Sequence, residues 1–130
     1  MSITGKYVLS GNEKYADWLS AVGIPADLAA KLEAAKPSLD VTQSGNDIVI
    51  KTTAGDKNFT NTITLGKESQ ATLPGGIEYT VKLTLSGTTL NGTWDFGGKT
   101  GTATVEFTAD GVTQTMIYNN IASKRIYSRQ

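Results

Sequence analysis

Residues 12–37 read NEKYADWLSAVGIPADLAAKLEAAKP, and their apolar side chains follow a helical period. Asn12 is a plausible N-cap for a first helix over about residues 13–22. Gly23 stands where that helix would end, in the position of a C′ glycine. The apolar stripe that this helix would turn toward a core comprises Tyr15, Trp18, Leu19 and Val22.

A second helix follows without a linker. Pro25 suits its first turn, Leu28 and Leu32 mark its buried face, and Pro37 stops it. Two short helices joined by a tight turn predict a helical hairpin over about residues 13–36.

The rest of the chain predicts strands, beginning with Gly5–Ser10 before the hairpin. Residues after 38 are rich in Thr, Val and Ile, and Gly and Asn interrupt them at regular intervals. Tight turns between consecutive strands imply an antiparallel meander, and closure removes the free edges of such a sheet. The nine later strands are predicted at Ser38–Ser44, Asp47–Thr53, Asn58–Leu65, Ser69–Leu73, Ile77–Leu85, Thr88–Asp95, Thr100–Thr108, Val112–Tyr118 and Ile121–Ser128.

These elements predict an all-β fold, a ten-stranded antiparallel up-and-down β-barrel or β-clam, with the helical hairpin as a lid between strands 1 and 2. No linker divides residues 1–130, so we expect a single domain. Some strands place Thr where a packed core would have Val or Leu, and this mixture suits a water-containing cavity. For any single Thr, a position on the outer face remains the more common alternative.

The composition excludes several classes of function. Twelve basic and 12 acidic residues give no net charge, which argues against nucleic acid as a partner. The chain has no Cys and no His, so it lacks the thiol nucleophile, the commonest general base and most transition-metal ligands. We therefore expect no enzymatic activity, no metal and no cofactor. No apolar run reaches signal-peptide or transmembrane length, so a cytoplasmic protein is expected.

Arg125 and Tyr127 stand two residues apart in the last predicted strand, so they share one face, while Lys124 and Ile126 share the other. If the first face lines a closed barrel, a guanidinium and a phenol lie together away from bulk water. A buried unpaired charge is costly, and a guanidinium matches a carboxylate through two parallel hydrogen bonds. The alternative is a structural Arg that pairs with an internal carboxylate.

The order of elements and five short motifs resemble the intracellular lipid-binding proteins, which include the cytosolic fatty-acid-binding and cellular retinoid-binding proteins. The motifs are Gly5-Lys6-Tyr7, Ala21-Val22-Gly23-Ile24-Pro25, Lys36-Pro37, Thr93-Trp94-Asp95 and Arg125-Ile126-Tyr127. The resemblance implies a non-enzymatic carrier that holds a fatty acid or a similar hydrophobic anion inside the barrel. It also implies that Arg125 and Tyr127 hold the ligand carboxylate.

The predicted ligand-binding residues are Arg125, Tyr127, Trp18, Phe59, Tyr79 and Val105. Tyr7 replaces a Trp that is common in the first strand of this family. Residues 104–106 carry no basic side chain, where many members have a second Arg or a Gln, so Arg125 is expected to act alone. Phe59 lies near the expected portal, although the turn after Ala54 leaves its register open. Trp94 and Asp95 are expected in core packing and turn formation.

The sequence leaves several alternatives open. The same cavity could hold a retinoid, a bile acid or a chromophore, or it could belong to an enzyme that uses Tyr, Asp, Glu, Lys or Arg. The Gly92-Thr93-Trp94 string also resembles biotin-binding barrels, which lack a helical lid. We expect a monomer, with Lys14, Lys31 and Lys36 as candidates for transient contact with an anionic membrane.

Overall fold

The computed structural model describes residues 3–55, 57–73 and 77–130. Its order of elements confirms the predicted fold, with ten strands and with two helices between the first and second strands. The helices are α1 (Tyr15–Ala21) and α2 (Ala26–Ala34). The strands are β1 (Gly5–Glu13), β2 (Ser38–Ser44), β3 (Asp47–Ala54), β4 (Lys57–Thr64), β5 (Glu68–Leu73), β6 (Ile77–Ser86), β7 (Thr89–Phe96), β8 (Lys99–Phe107), β9 (Gly111–Tyr118) and β10 (Ile121–Arg129).

The strands form one sheet in the order β4-β3-β2-β1-β10-β9-β8-β7-β6-β5, and neighbouring strands pair antiparallel. Strand β1 pairs with β10, so the meander curls into a nearly closed barrel. Its two edges, β4 and β5, are joined by side chains. The Asn61 Nδ2 donates to the Thr72 carbonyl oxygen at 3.2 Å, and the Thr72 N–H donates to the Asn61 Oδ1 at 2.9 Å. Asn61 thus supplies hydrogen bonds that a backbone ladder would otherwise make.

The helical hairpin forms as predicted, but the N-cap prediction for Asn12 is wrong. Strand β1 continues through an irregularity between Leu9 and Gly11, and Asn12 pairs in register with Arg125 of β10. Pairing with β10 therefore extends the strand beyond the point where a local cap would have ended it. The residue before α1 is Lys14, in the left-handed conformation at φ 55°, and it makes no side-chain capping hydrogen bond.

The turn between the helices follows the sequence prediction. Gly23 has φ 95°, a conformation that residues with a Cβ rarely adopt. The Ala29 N–H donates to the Pro25 carbonyl oxygen at 2.9 Å, so α2 begins directly after the proline. None of the helices in the described part of the chain is long and apolar enough to span a membrane.

Aromatic side chains join the helices to the barrel. Trp18 of α1 packs edge-on against Trp94 of β7, with ring centroids 5.2 Å apart, and Trp94 also contacts Tyr118 at 5.8 Å. Both Trp residues are almost fully buried, which confirms the predicted core role of Trp94. Tyr7 is also buried, and its hydroxyl donates to the Ile3 carbonyl oxygen at 2.8 Å. The hydroxyl that Tyr7 adds at this position therefore has a hydrogen-bond acceptor.

Candidate ligand-binding cavity

The cavity lies inside the barrel, and strands β2 to β10 all contribute side chains to its lining. The lining residues are spaced two apart along most strands, because residues two apart point to the same face of a strand. The cavity has a volume of about 90 Å³, which is room for several waters. Most of the lining is aliphatic, and its apolar wall includes Leu39, Val41, Ile50, Ile63, Val81 and Leu83.

Arg125 supplies the charge of the cavity. It is 5% exposed, and its neighbours Lys124 and Ile126 point outward, which confirms the shared inner face of Arg125 and Tyr127. The Arg125 Nε donates to the Asn12 Oδ1 at 3.0 Å, and the guanidinium carbon lies 4.1 Å from the ring centroid of Tyr15. This contact is a cation–π interaction with a residue of the lid.

The guanidinium retains unused hydrogen-bonding capacity. Arg125 Nη2 is buried and has no hydrogen-bond partner among residues 3–55, 57–73 and 77–130. No carboxylate in that part of the chain pairs with it, so the alternative of a structural Arg with an internal carboxylate does not hold there. A buried cation without a counter-charge is costly and attracts an anion.

Tyr15 and Tyr127 lie beside the guanidinium, and Tyr79 lies close to both of these tyrosines. Burial raises the pKa values of Tyr15, Tyr79 and Tyr127, and the positive charge of Arg125 partly offsets this rise for Tyr15 and Tyr127. At neutral pH these phenols therefore stay protonated and can donate hydrogen bonds. The Tyr15 hydroxyl is buried without a well-oriented hydrogen bond in the described part of the chain, and it lies close enough to Arg125 for their interaction to lower its pKa. The site thus combines one cation with neutral donors.

Asn12 connects this site to the second helix of the lid. Its Oδ1 accepts from Arg125, and its Nδ2 donates to the Glu33 carbonyl oxygen at 3.1 Å, near the end of α2. This role of Asn12 was not predicted from the sequence, because the local pattern around Asn12 is typical of a helix N-cap. One side chain therefore contacts both the charged group of the cavity and the lid.

Gln114 is a second candidate site residue that was not predicted from the sequence. It lines the cavity and stands opposite Arg125 on one side and Val105 on the other. The signal was present in β9, where Val112, Gln114 and Met116 alternate on the inward row. Among residues 3–55, 57–73 and 77–130, Arg125 is the only basic residue that lines the cavity. An amide therefore neighbours the guanidinium.

The structure brings four of the six predicted ligand-binding residues into the lining: Arg125, Tyr127, Tyr79 and Val105. Trp18 does not line the cavity, since it is packed between Tyr15 and Trp94. Phe59 pairs with Thr52, and this pairing fixes the register of Phe59 on the same face of β4 as Asn61. Like Trp18, Phe59 lies outside the cavity lining. Contact of Trp18 and Phe59 with a ligand stays a prediction.

The chain resembles known proteins both in sequence and in structure. Residues 1–120 match the Lipocalin / cytosolic fatty-acid binding protein family. The liver fatty acid-binding protein of Bos taurus is 31% identical over 129 residues, which cover 99% of each chain. A Schistosoma mansoni fatty acid binding protein, solved in complex with arachidonic acid, superposes with a TM-score of 0.87 at 20% identity over 98% of this chain and 95% of that one. The fluorescent protein UnaG gives 0.86 at 20% identity over 98% and 97%, and these two likenesses show a shared fold.

Proposed function

Since the chain belongs to the lipocalin and cytosolic fatty-acid binding protein family, we propose that it is a non-enzymatic carrier of a long-chain fatty acid or a similar hydrophobic carboxylate. The names of its relatives support this ligand class. In the proposal the ligand occupies the barrel cavity, with its carboxylate against Arg125 and Tyr127.

The buried guanidinium of Arg125 is the observation that carries the proposal. Its Nη2 has no partner in the described part of the chain, and no carboxylate there neutralises it. A ligand carboxylate supplies both the missing charge and the missing acceptor. The neutral hydroxyls of Tyr15 and Tyr127 can donate to the same group, because burial raises their pKa values. The arrangement favours an anion with several oxygen acceptors.

The apolar wall of the cavity suits the hydrocarbon tail. Burial of each CH₂ contributes about 0.8 kcal/mol, so a long chain would dominate the affinity and the carboxylate would set its orientation. Waters in the cavity would leave as the tail enters. Entry would require the lid to move, and this would disturb the hydrogen bond between Asn12 and Glu33.

Binding of palmitate and of the matching alcohol, hexadecanol, tests the carboxylate anchor. Arg125→Met should weaken palmitate about 100-fold, because two charge-assisted hydrogen bonds are lost, and should change hexadecanol less than about threefold. Lys124→Met is the matched control, since Lys124 is the exposed neighbour on the same strand. Equal losses for the acid and the alcohol would contradict the proposal.

Delivery is the second part of the proposal. Lys14, Lys31 and Lys36 are exposed on and beside the two helices of the lid, and the carrier would touch anionic membranes through them as a monomer of the cytoplasm. Transfer of a fluorescent fatty acid to vesicles should then accelerate when phosphatidylserine is added. Substitution of the three lysines by glutamine should abolish this acceleration. A transfer rate that is independent of vesicle charge would exclude membrane contact of this kind.

A further inference from the structure

The cavity has a second polar region, formed by Thr52 of β3 and Asn61 of β4, which we call the neutral pole. Thr52 is 7% exposed, and both residues line the same cavity as Arg125. They stand on the inward rows of their strands beside the aliphatic residues Ile50 and Ile63. Strands β2 and β1 separate β3 from β10, so the neutral pole and Arg125 lie on different parts of the wall.

The neutral pole has hydrogen-bonding capacity that the described residues do not use. The Thr52 hydroxyl has no hydrogen-bond partner in residues 3–55, 57–73 and 77–130, although a hydroxyl can donate one hydrogen bond and accept two. Asn61 uses one N–H and one lone pair of its amide on the backbone of Thr72. One N–H and one lone pair of Asn61 therefore remain available. A saturated tail against these atoms would leave them unpaired, which costs affinity.

We propose that the carrier selects a fatty acid with a hydroxyl group on its chain, and that this hydroxyl binds Thr52 and Asn61. The inference rests on the proposed function, because the carboxylate of the same ligand binds Arg125. A hydroxyl matches the neutral pole, since it both donates and accepts. A second carboxylate does not match it, because Thr52 and Asn61 carry no charge that would stabilise a buried anion.

The geometry points to a hydroxyl away from the carboxyl end. A hydroxyl beside the carboxylate would lie near Arg125, while the neutral pole belongs to β3 and β4. Sites built to hydrogen-bond a ligand hydroxyl discriminate against an analogue that lacks it, because their own polar groups are then left unpaired. Thr52 is therefore a specificity-determining residue in this inference.

Binding of stearate and of its α-hydroxy, mid-chain hydroxy and ω-hydroxy derivatives tests the inference. The three hydroxystearates have the same composition, so their affinities differ only through the position of the hydroxyl. In the wild type, the mid-chain or the ω isomer should bind about fivefold tighter than the α isomer, the gain from one hydrogen bond in a buried site. Equal affinities of the three isomers would overturn the inference without any variant.

Substitution of Thr52 assigns the gain to this residue. Thr52→Val keeps the side-chain shape and should weaken the preferred isomer about fivefold, while stearate binds equally well or tighter. Thr52→Ser should restore the preference. Thr60→Val is the matched control, since Thr60 is exposed on the outer face of β4. Equal effects of Thr52→Val on stearate and on the preferred isomer would overturn the inference.

The same experiment separates this inference from the proposed function. If none of the four acids binds the wild type, the carboxylate carrier itself is wrong and the inference fails with it. If stearate binds through Arg125 but the position of a hydroxyl has no effect, only the neutral pole is excluded as a ligand site.

Discussion

The two polar regions of the cavity satisfy their hydrogen bonds in different ways. At the charged pole, formed by Arg125 with Tyr15 and Tyr127, a guanidinium nitrogen and the Tyr15 hydroxyl are buried without a well-oriented hydrogen bond in the described part of the chain. At the neutral pole, Asn61 makes two hydrogen bonds to Thr72 and joins the edges of the sheet. The charged pole therefore costs stability until an anion binds, while Asn61 stabilises the empty barrel.

The largest expected change in stability is at the neutral pole. Asn61→Ala should lower the free energy of unfolding by about 2 kcal/mol, because the N–H and carbonyl of Thr72 lose their partner. Urea unfolding followed by circular dichroism measures the change. Asn58→Ala is the control: Asn58 is on the same strand, but its hydrogen bond to Thr53 is exposed, so we expect less than about 0.5 kcal/mol. If Asn61→Ala loses no more stability than Asn58→Ala, the hydrogen bonds between Asn61 and Thr72 do not hold the edge strands β4 and β5 together.

Alkaline pH should act mainly through three buried tyrosines, two in the charged pole and Tyr79 beside them. Burial raises the pKa values of Tyr15, Tyr79 and Tyr127 above the ordinary 10.0, so the unfolded chain releases these protons first as the pH rises. Stability should be constant with respect to these groups below about pH 10 and should fall above it, by up to about 1.4 kcal/mol per tyrosine per pH unit. Urea unfolding across this range measures the slope.

Tyr79→Phe should make that slope shallower, since burial raises the pKa of Tyr79 the most clearly. Tyr118→Phe is a suitable control, because Tyr118 lies outside the cavity lining. If Tyr79→Phe and the wild type lose stability equally between pH 10 and pH 11, the phenol does not titrate as its burial requires.

Loss of the charge should stabilise the empty barrel slightly. Arg125→Met should raise the free energy of unfolding without ligand by about 1 kcal/mol, since the buried cation lacks a counter-charge and Met fills similar space. Thermal and urea unfolding of ligand-free protein measure this, and Lys124→Met serves as the exposed control. If the two poles differ as described, Arg125→Met and Asn61→Ala change the free energy of unfolding in opposite directions. A clear loss of stability for Arg125→Met would mean that Arg125 is mainly structural.

The smallest expected effect concerns the link to the lid. Asn12→Ala should weaken palmitate by about threefold, because it removes the acceptor that orients the Arg125 Nε and frees the end of α2. Both the association and the dissociation rates should rise, since the lid opens more easily. Stopped-flow fluorescence of a displaced probe measures them. Ser10→Ala is the control, because Ser10 lies on the same strand and its hydroxyl bonds an exposed carbonyl oxygen. Unchanged rates would exclude Asn12 as a link between site and lid.

The sequence predicted the features that depend on local periodicity. Residues two apart on a strand share a face, which correctly placed Arg125 with Tyr127. The hairpin turn at Gly23 was predictable because a positive φ favours glycine. The same rule could have found Gln114, which continues an inward row of β9.

Features that depend on pairing between distant segments were not predictable in this way. Asn12 belongs to β1 because pairing with β10 continues past the irregularity between Leu9 and Gly11. A prediction from neighbouring residues alone gives a helix cap instead. The bridge from Asn61 to Thr72 crosses the gap between β4 and β5, so its partner is fixed only when the barrel closes. The inward position of Thr52 was not predictable, since Thr is a good strand former on either face of a strand.

The ionisation of the bound ligand tests the central claim most directly. In ¹³C NMR of carboxyl-labelled palmitate bound to the wild type, we expect the carboxyl pKa to lie below that of palmitate in water, because the guanidinium and the phenols stabilise the anion. In Arg125→Met the pKa should rise above the value in water, since a buried carboxylate without a cation is destabilised. A bound carboxyl that titrates identically in both proteins would contradict the account, because the carboxylate would then lie away from Arg125.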